Sequence, residues 1–485
     1  MLPHGRQIDS RRRRILKAGM GAGTLFAMPR LGWTQTSLLS APKLALVMGN
    51  SRYKESPLTN PANDARAIGE TLKAMGFSVT SKLDAGRAEM DDAIKAYIAE
   101  LAAKKGVGLF YFAGHGLQLA WRNYMLPVDA DIDKVTDIPK QSVELNNLLE
   151  GIGKAGNPLN VIVLDACRDN PFGGLKGLDH KGLSQMDAPT HTLLAYATSP
   201  GNTASDGVGA NGLYTEHFLR EMKVPEAKLE DVFKRVRLGV RRGSKGLQVP
   251  WESTSLEDDF WFIPPAQLKK QSEEEKTALF RQELALWEKI QDSTEPGPFE
   301  DYLRRHPSGQ YAELAQLQLD RVLAKQGEKK VQIASAEGNP FTKGSATAST
   351  GQTVGDSYSY RELDIFSKAE QRQFTNTITQ VTESEVVYGS GLVTDLLGNA
   401  RRLANGNRLS PNQNYPFEFA VGRHWESRFI IYAPKGELDT VLNMRIVGRE
   451  IIKVPAGEFN AFRVEWTGSS RIPGIGSQRI EGRAW

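Results

Sequence analysis

"VIVLDACRDNPF", residues 161–172, holds the only cysteine in a chain of 485 residues. A run of valine, isoleucine and leucine leads into Asp165-Ala166-Cys167-Arg168, and a glycine-rich loop follows. A short apolar run that stops at a polar turn predicts a strand buried on both faces. At such a strand end, Cys167 is either a small packed hydrophobe or a nucleophile delivered to the working edge of a sheet.

The flanking sequence favours the sheet edge. "KLALVMG" predicts a first strand, "FSVTSKLDA" a second, "VGLFYFAGHG" a third, "LNVIVLDAC" a fourth and "TLLAYATSP" a fifth, with "DDFWFIP" closing the domain as a short sixth. Between them the spacing predicts helices over 65–75, 87–104, 142–155, 211–222 and 227–242. Strands alternating with helices imply an α/β domain with a mainly parallel six-stranded sheet flanked by helices. His115 then falls just after the third strand and Cys167 after the fourth. Adjacent strands bring the two to one edge, although 52 positions separate them.

Composition narrows the class. Hydrophobic content of 40% and charged content of 24% are those of a globular protein of several domains. The net charge of +4 owes much to Arg11–Arg14, so nothing points to nucleic acid as a partner. No apolar run is long enough for a transmembrane helix. One cysteine permits no internal disulfide. "SRRRRILKAGMGAGTLFAM" pairs a basic start with a weakly apolar Gly/Ala-rich stretch; residues 1–41 resemble a twin-arginine (Tat) signal, with cleavage expected between Ala27 and Ala41. That implies passage through the Tat export machinery to a periplasmic or otherwise exported location.

Composition shifts divide the rest. Residues 43–263 form the α/β domain. Residues 266–325 read as a helical module, one helix over 266–292 and then a hairpin broken at 306–309. The polar stretch 326–352 reads as a flexible linker. Residues 353–485 alternate apolar and polar positions and predict an antiparallel β domain, a small sandwich or barrel. The sequence stops at "RIEGRAW", in what reads as mid-strand, which suggests truncation.

Chemistry concentrates in two places. A thiol needs a basic or cationic neighbour to act as a nucleophile near neutral pH, and His115 can supply it and later protonate the leaving amine. His115 sits in "YFAGHGLQ", where glycines allow close approach of a substrate chain. The amides of Gly116 and Cys167 could converge on a carbonyl oxygen and stabilise an oxyanion.

A strand ending in "GHG" and, about 50 residues on, a strand ending in "DAC" resemble the caspase-like fold of the clan CD (peptidase C14) cysteine peptidases. Within it the chain resembles the bacterial metacaspase-like group, or orthocaspases, over residues 43–263, including "YFAGHG", "VLDACRDNPF", "YATSPGNTASDG" and "QVPWESTSLEDDFWF". The resemblance implies His115 as base, Cys167 as nucleophile and a thioester acyl-enzyme. It also implies an acidic specificity pocket, formed by Asp64 and Asp165, for Arg or Lys before the cut. Two carboxylates in a closed pocket suit a guanidinium; Asp64 alternatively stands as the N-cap of helix 65–75, and Asp165 as a carboxylate ordering its turn.

The chain departs from the group in having Ala113 two before the histidine, where serine is usual, and Arg168 after the cysteine, where histidine is usual. Asp129, Asp131 and Asp133 do not fit an EF-hand spacing, so no metal or other cofactor is expected. Lys176 and Lys181 offer self-cleavage sites after the nucleophile. The expected function is a cysteine endopeptidase acting on polypeptides at Arg or Lys, its C-terminal domains meeting a protein or envelope partner. The alternative is a catalytically silent caspase-fold scaffold or binding protein of the cell envelope. An α/β-hydrolase is excluded by order, because its histidine comes last.

Overall fold

The computed structural model describes residues 35–167, 171–172, 175, 178, 182–202, 204, 209–268, 271–328, 331, 334, 336, 338–342, 344–363, 369–434, 436–472 and 476–485. Most of the proposed signal, Arg168, Lys176 and Lys181 lie outside them.

The first domain runs α1 (Gln35–Ser40), β1 (Lys43–Gly49), α2 (Pro61–Ala74), β2 (Ser78–Leu83), α3 (Arg87–Lys104), β3 (Val107–Leu119), β4 (Arg122–Met125), α4 (Ile138–Gln141), β5 (Val143–Glu144), α5 (Leu145–Ala155), β6 (Leu159–Cys167), β7 (Thr192–Tyr196), α6 (Leu213–Glu221), α7 (Leu229–Gly243) and β8 (Trp251–Thr254). The main sheet has the order β2-β1-β3-β6-β7-β8. All neighbours are parallel except the β7–β8 pair. This is the mainly parallel six-stranded α/β sheet flanked by helices that the strand pattern implies.

The inner strands β1, β3, β6 and β7 lack polar faces because helices cover both sides of the sheet, while the edge strand β2 is mostly polar. Side chains of Val47, Leu109, Tyr111, Ala113, Val161 and Val163 pack with α2, α6 and α7. Their sequence neighbours Leu46, Met48, Phe110, Phe112, Ile162 and Leu164 pack with α3 and α5. The pleat therefore sends Asp165 towards the α2–α6 layer, in step with Val161 and Val163.

Three elements differ from expectation. The sixth strand is Trp251–Thr254, antiparallel to β7, and not "DDFWFIP". Phe260 and Phe262 are instead driven into the core against Phe218, and the backbone there answers α7: Leu229 N–H donates to Phe260 C=O at 2.7 Å. An apolar run thus marks a packed loop, which periodicity alone does not separate from a strand. The third strand does not end before His115; it continues to Leu119 and pairs with β4, which pairs with β5. The helix expected over 142–155 starts at Leu145, since Val143 and Glu144 join β4.

Beyond the sheet come α8 (Glu273–Ile290), α9 (Pro296–Arg305) and α10 (Ala312–Lys325). Ser272 caps α8, accepting the Glu275 N–H while Glu275 returns a carboxylate to the Ser272 N–H. Trp287, Phe299, Tyr302 and Tyr311 form the core of this module, with Leu397 and Ile430 of the following domain. Arg241 of α7 pairs with Asp320 and Glu328, tying the module to the first domain.

The described part of 326–352 packs against the first domain instead of hanging as a free linker. Ala334 N–H donates to Pro200 C=O at 3.0 Å, and Asp187 N–H to Phe341 C=O at 3.1 Å. Asn339 is buried and donates to Gln185 C=O at 2.7 Å. The Arg122 guanidinium lies 5.0 Å from the Phe341 ring centre. Composition suggested flexibility because such contacts are made by isolated residues, with no periodic face to reveal them.

The C-terminal domain is antiparallel. Ten strands between Ser357 and Ala484 follow one another across a single sheet, with Gly436–Val454 and Gly457–Ile472 forming a long hairpin near its C-terminal edge. Among the described residues no pairing joins its first strand to its last, so the ladder is open rather than a closed barrel.

Candidate active site

His115 and Cys167 are backbone partners in the register of β3 and β6. Ala113 C=O accepts the Asn50 N–H and His115 C=O accepts the Leu126 N–H, so the backbone groups at these odd positions turn away from β6. By strand alternation the Gly116 amide faces the β6 side, where Cys167 ends its strand.

His115 is 3% exposed and firmly held. Its Nε2 lies 2.7 Å from Ser56 C=O. A carbonyl only accepts, so Nε2 carries the ring proton, and in the neutral imidazole Nδ1 carries the lone pair. The His115 N–H donates to the Tyr53 hydroxyl at 2.9 Å, and that hydroxyl donates to Leu126 C=O at 3.1 Å. The two rings lie 4.5 Å apart. Gly114 makes room for this: its φ is +153°, and a Cβ there would sit 2.5 Å from the Tyr53 hydroxyl. A Cβ on Gly116 would meet the Ala166 Cβ at 3.0 Å, so the two strand ends close tightly.

Asp64 and Asp165 are both buried, at 2% and 8% exposure, and both act electrostatically on Tyr111. Asp64 is not an N-cap. The helix begins at Pro61 with Asn60 in the cap position, which puts Asp64 inside its first turn. Its Oδ1 accepts Asn211 Nδ2 at 2.8 Å and the Gly212 N–H at 3.0 Å. Asp165 Oδ2 accepts the Thr215 hydroxyl at 2.7 Å. After burial itself, the Asp165 and Asp64 carboxylates hold the Tyr111 phenol far above its ordinary pKa.

Asp129 accepts the Arg87 N–H at the start of α3 at 2.9 Å, and Asp131 lies 3.9 Å from Lys54. They serve a helix end and a surface pair. Tyr53, Asn211 and Thr215 escaped sequence reasoning. Tyr53 follows β1 in "NSRY", and Thr215 is an ordinary residue of a helical first turn, so neither bears a motif.

Residues 42–261 match the model of the caspase domain of the peptidase C14 family. Over those residues the chain is similar to a caspase domain. The human mucosa-associated lymphoid tissue lymphoma translocation protein 1 is 29% identical over 238 residues, covering 47% of this chain and 28% of that protein. Its mouse homolog is likewise 29% identical, over 27% of its length. The chain thus spans little more than a quarter of the curated relatives it matches. The crystal structure of caspase-1 from Spodoptera frugiperda aligns with 47% of this chain and 92% of its own, at 15% identity and a TM-score of 0.36.

Proposed function

We propose that this caspase domain is an active cysteine endopeptidase with His115 and Cys167 as its dyad. The observation that carries this is their direct partnership across two parallel strands, with the His115 ring proton committed to Ser56 C=O. Nδ1 takes the thiol proton, the thiolate sulfur attacks the scissile carbonyl carbon, and the C=O electrons move onto oxygen. The Gly116 and Cys167 amides receive that oxyanion. Collapse expels the amine, which takes the proton from the imidazolium, and water then hydrolyses the thioester. Asp64 and Asp165 support a preference for Arg or Lys before the cut, because two buried carboxylates on one face favour a basic side chain. The Tat-like start supports action after export.

The test is hydrolysis of fluorogenic peptides ending in Arg, Lys or Asp by wild type, Cys167→Ala and His115→Ala. Turnover after Arg or Lys that both variants lose is the expected result. Cleavage after Asp would overturn the roles of Asp64 and Asp165; no turnover at all, with or without calcium, would return the domain to a scaffold.

A further inference from the structure

Both pocket carboxylates are held by one short stretch at the start of α6. Asn211 and Gly212 donate to Asp64 Oδ1, and Thr215 donates to Asp165 Oδ2. Thr215 is fully buried, and its Oγ1 also lies 2.6 Å from the Tyr111 hydroxyl. A threonine hydroxyl has one proton to give. With that proton directed at Asp165, Tyr111 must donate to Thr215. Tyr111 is suited to this, since burial and the two carboxylates keep its phenol protonated. The result is a one-way relay from Tyr111 through Thr215 to Asp165. It fixes the plane of that carboxylate relative to Asp64, which is tethered three residues upstream on the same element.

We propose that Thr215, backed by Tyr111, is a specificity-determining positioning residue that tunes the pocket to arginine over lysine. This rests on the assignment of Asp64 and Asp165 as the pocket for a basic side chain. A guanidinium is a planar fork whose paired hydrogen bonds need the carboxylate plane set in advance, whereas an ammonium is a compact point charge that tolerates rotation. Loosening Asp165 therefore penalises arginine more than lysine. A threonine that merely ties α6 to β6 would instead affect both substrates alike.

The experiment compares two fluorogenic peptides that differ only in Arg or Lys before the cut, with wild type, Thr215→Val, Thr215→Ser and Tyr111→Phe of the full chain. Thr215→Val should raise KM for the arginine peptide roughly tenfold, the loss of one hydrogen bond to a charged group. The lysine KM and both kcat values should move less than about threefold, so the Arg-to-Lys ratio of kcat/KM falls. Thr215→Ser should restore the ratio, and Tyr111→Phe should lower it about threefold by removing only the backing donor. Equal losses on both peptides, or no rescue by serine, overturn the inference while leaving the peptidase assignment intact. A wild type that cleaves neither peptide overturns both. Should Thr215→Val fail to fold, Tyr111→Phe decides by the same ratio.

Discussion

His115 and Cys167 are direct partners on neighbouring parallel strands, β3 and β6, so one hydrogen-bonded ladder sets their separation. Groups that act as a unit show non-additive losses. Cys167→Ala and His115→Ala should each lower kcat at least about 1,000-fold, and the double variant should be no worse than the poorer single one. Single-turnover assays with circular dichroism of each variant check this; a multiplicative double loss would mean the two act separately.

Gly114 is the residue that lets the Tyr53 hydroxyl reach the His115 N–H. Gly114→Ala adds a Cβ 2.5 Å from that hydroxyl, at a φ of +153° that L-residues avoid. The variant should lose about 1–3 kcal/mol of stability. Under conditions where it stays folded it should also lose most activity, because His115 is displaced. Urea midpoints alongside peptide turnover measure both; an unchanged midpoint would show that the backbone relaxes without strain.

His217, packed where a Cβ on Gly239 would strike its ring, has its pKa lowered by burial and then by Arg220, against the opposing pull of Glu216 and Glu221. The folded state thus binds fewer protons than the unfolded one just below pH 6.5. Its contribution to stability is full above that value and is lost as pH falls from there through the lower folded-state pKa. His217→Gln should flatten the urea midpoint between pH 7.5 and 5 relative to wild type. A profile as steep as the parent's would place the acid sensitivity elsewhere.

Phe299 is fully buried in the helical module, its ring 6.3 Å from that of Trp287. Phe299→Ala should cost that module about 3–5 kcal/mol. Tryptophan fluorescence in a denaturant series should show the corresponding earlier transition. A loss under about 1 kcal/mol would mean that the surrounding rings collapse into the space.

How much of this was legible in the sequence follows from the length scale of each signal. Four of the five parallel strands announced themselves because a buried parallel strand needs an unbroken apolar run, as in Leu44–Met48 and Val161–Leu164, whereas the edge strand β2, SVTSKL, is mostly polar and part-exposed. His115 and Cys167 stood out because both close such runs. The sixth strand was misplaced because Phe260 and Phe262 are apolar for a different reason, as plugs against α6 and α7. The hold on Asp165 was invisible: Thr215 lies 50 positions away, and only the return of α6 over the sheet brings them together. Asn339 and Phe341 were hidden likewise, as single anchors in a polar stretch.

β3 does not stop at His115 but runs on to Leu119, pairing with β6 up to His115 and with β4 from Gly116 onward. The histidine therefore sits within a strand where one ladder hands over to the next, its own backbone held by the Tyr53 hydroxyl and the Leu126 N–H, rather than on a loop. Local opening of a protein draws on its least protected segments, and this one belongs with the most protected. On heating, catalytic competence should persist until the central sheet itself melts, and the amides around His115 should exchange with solvent as slowly as those of the core strands.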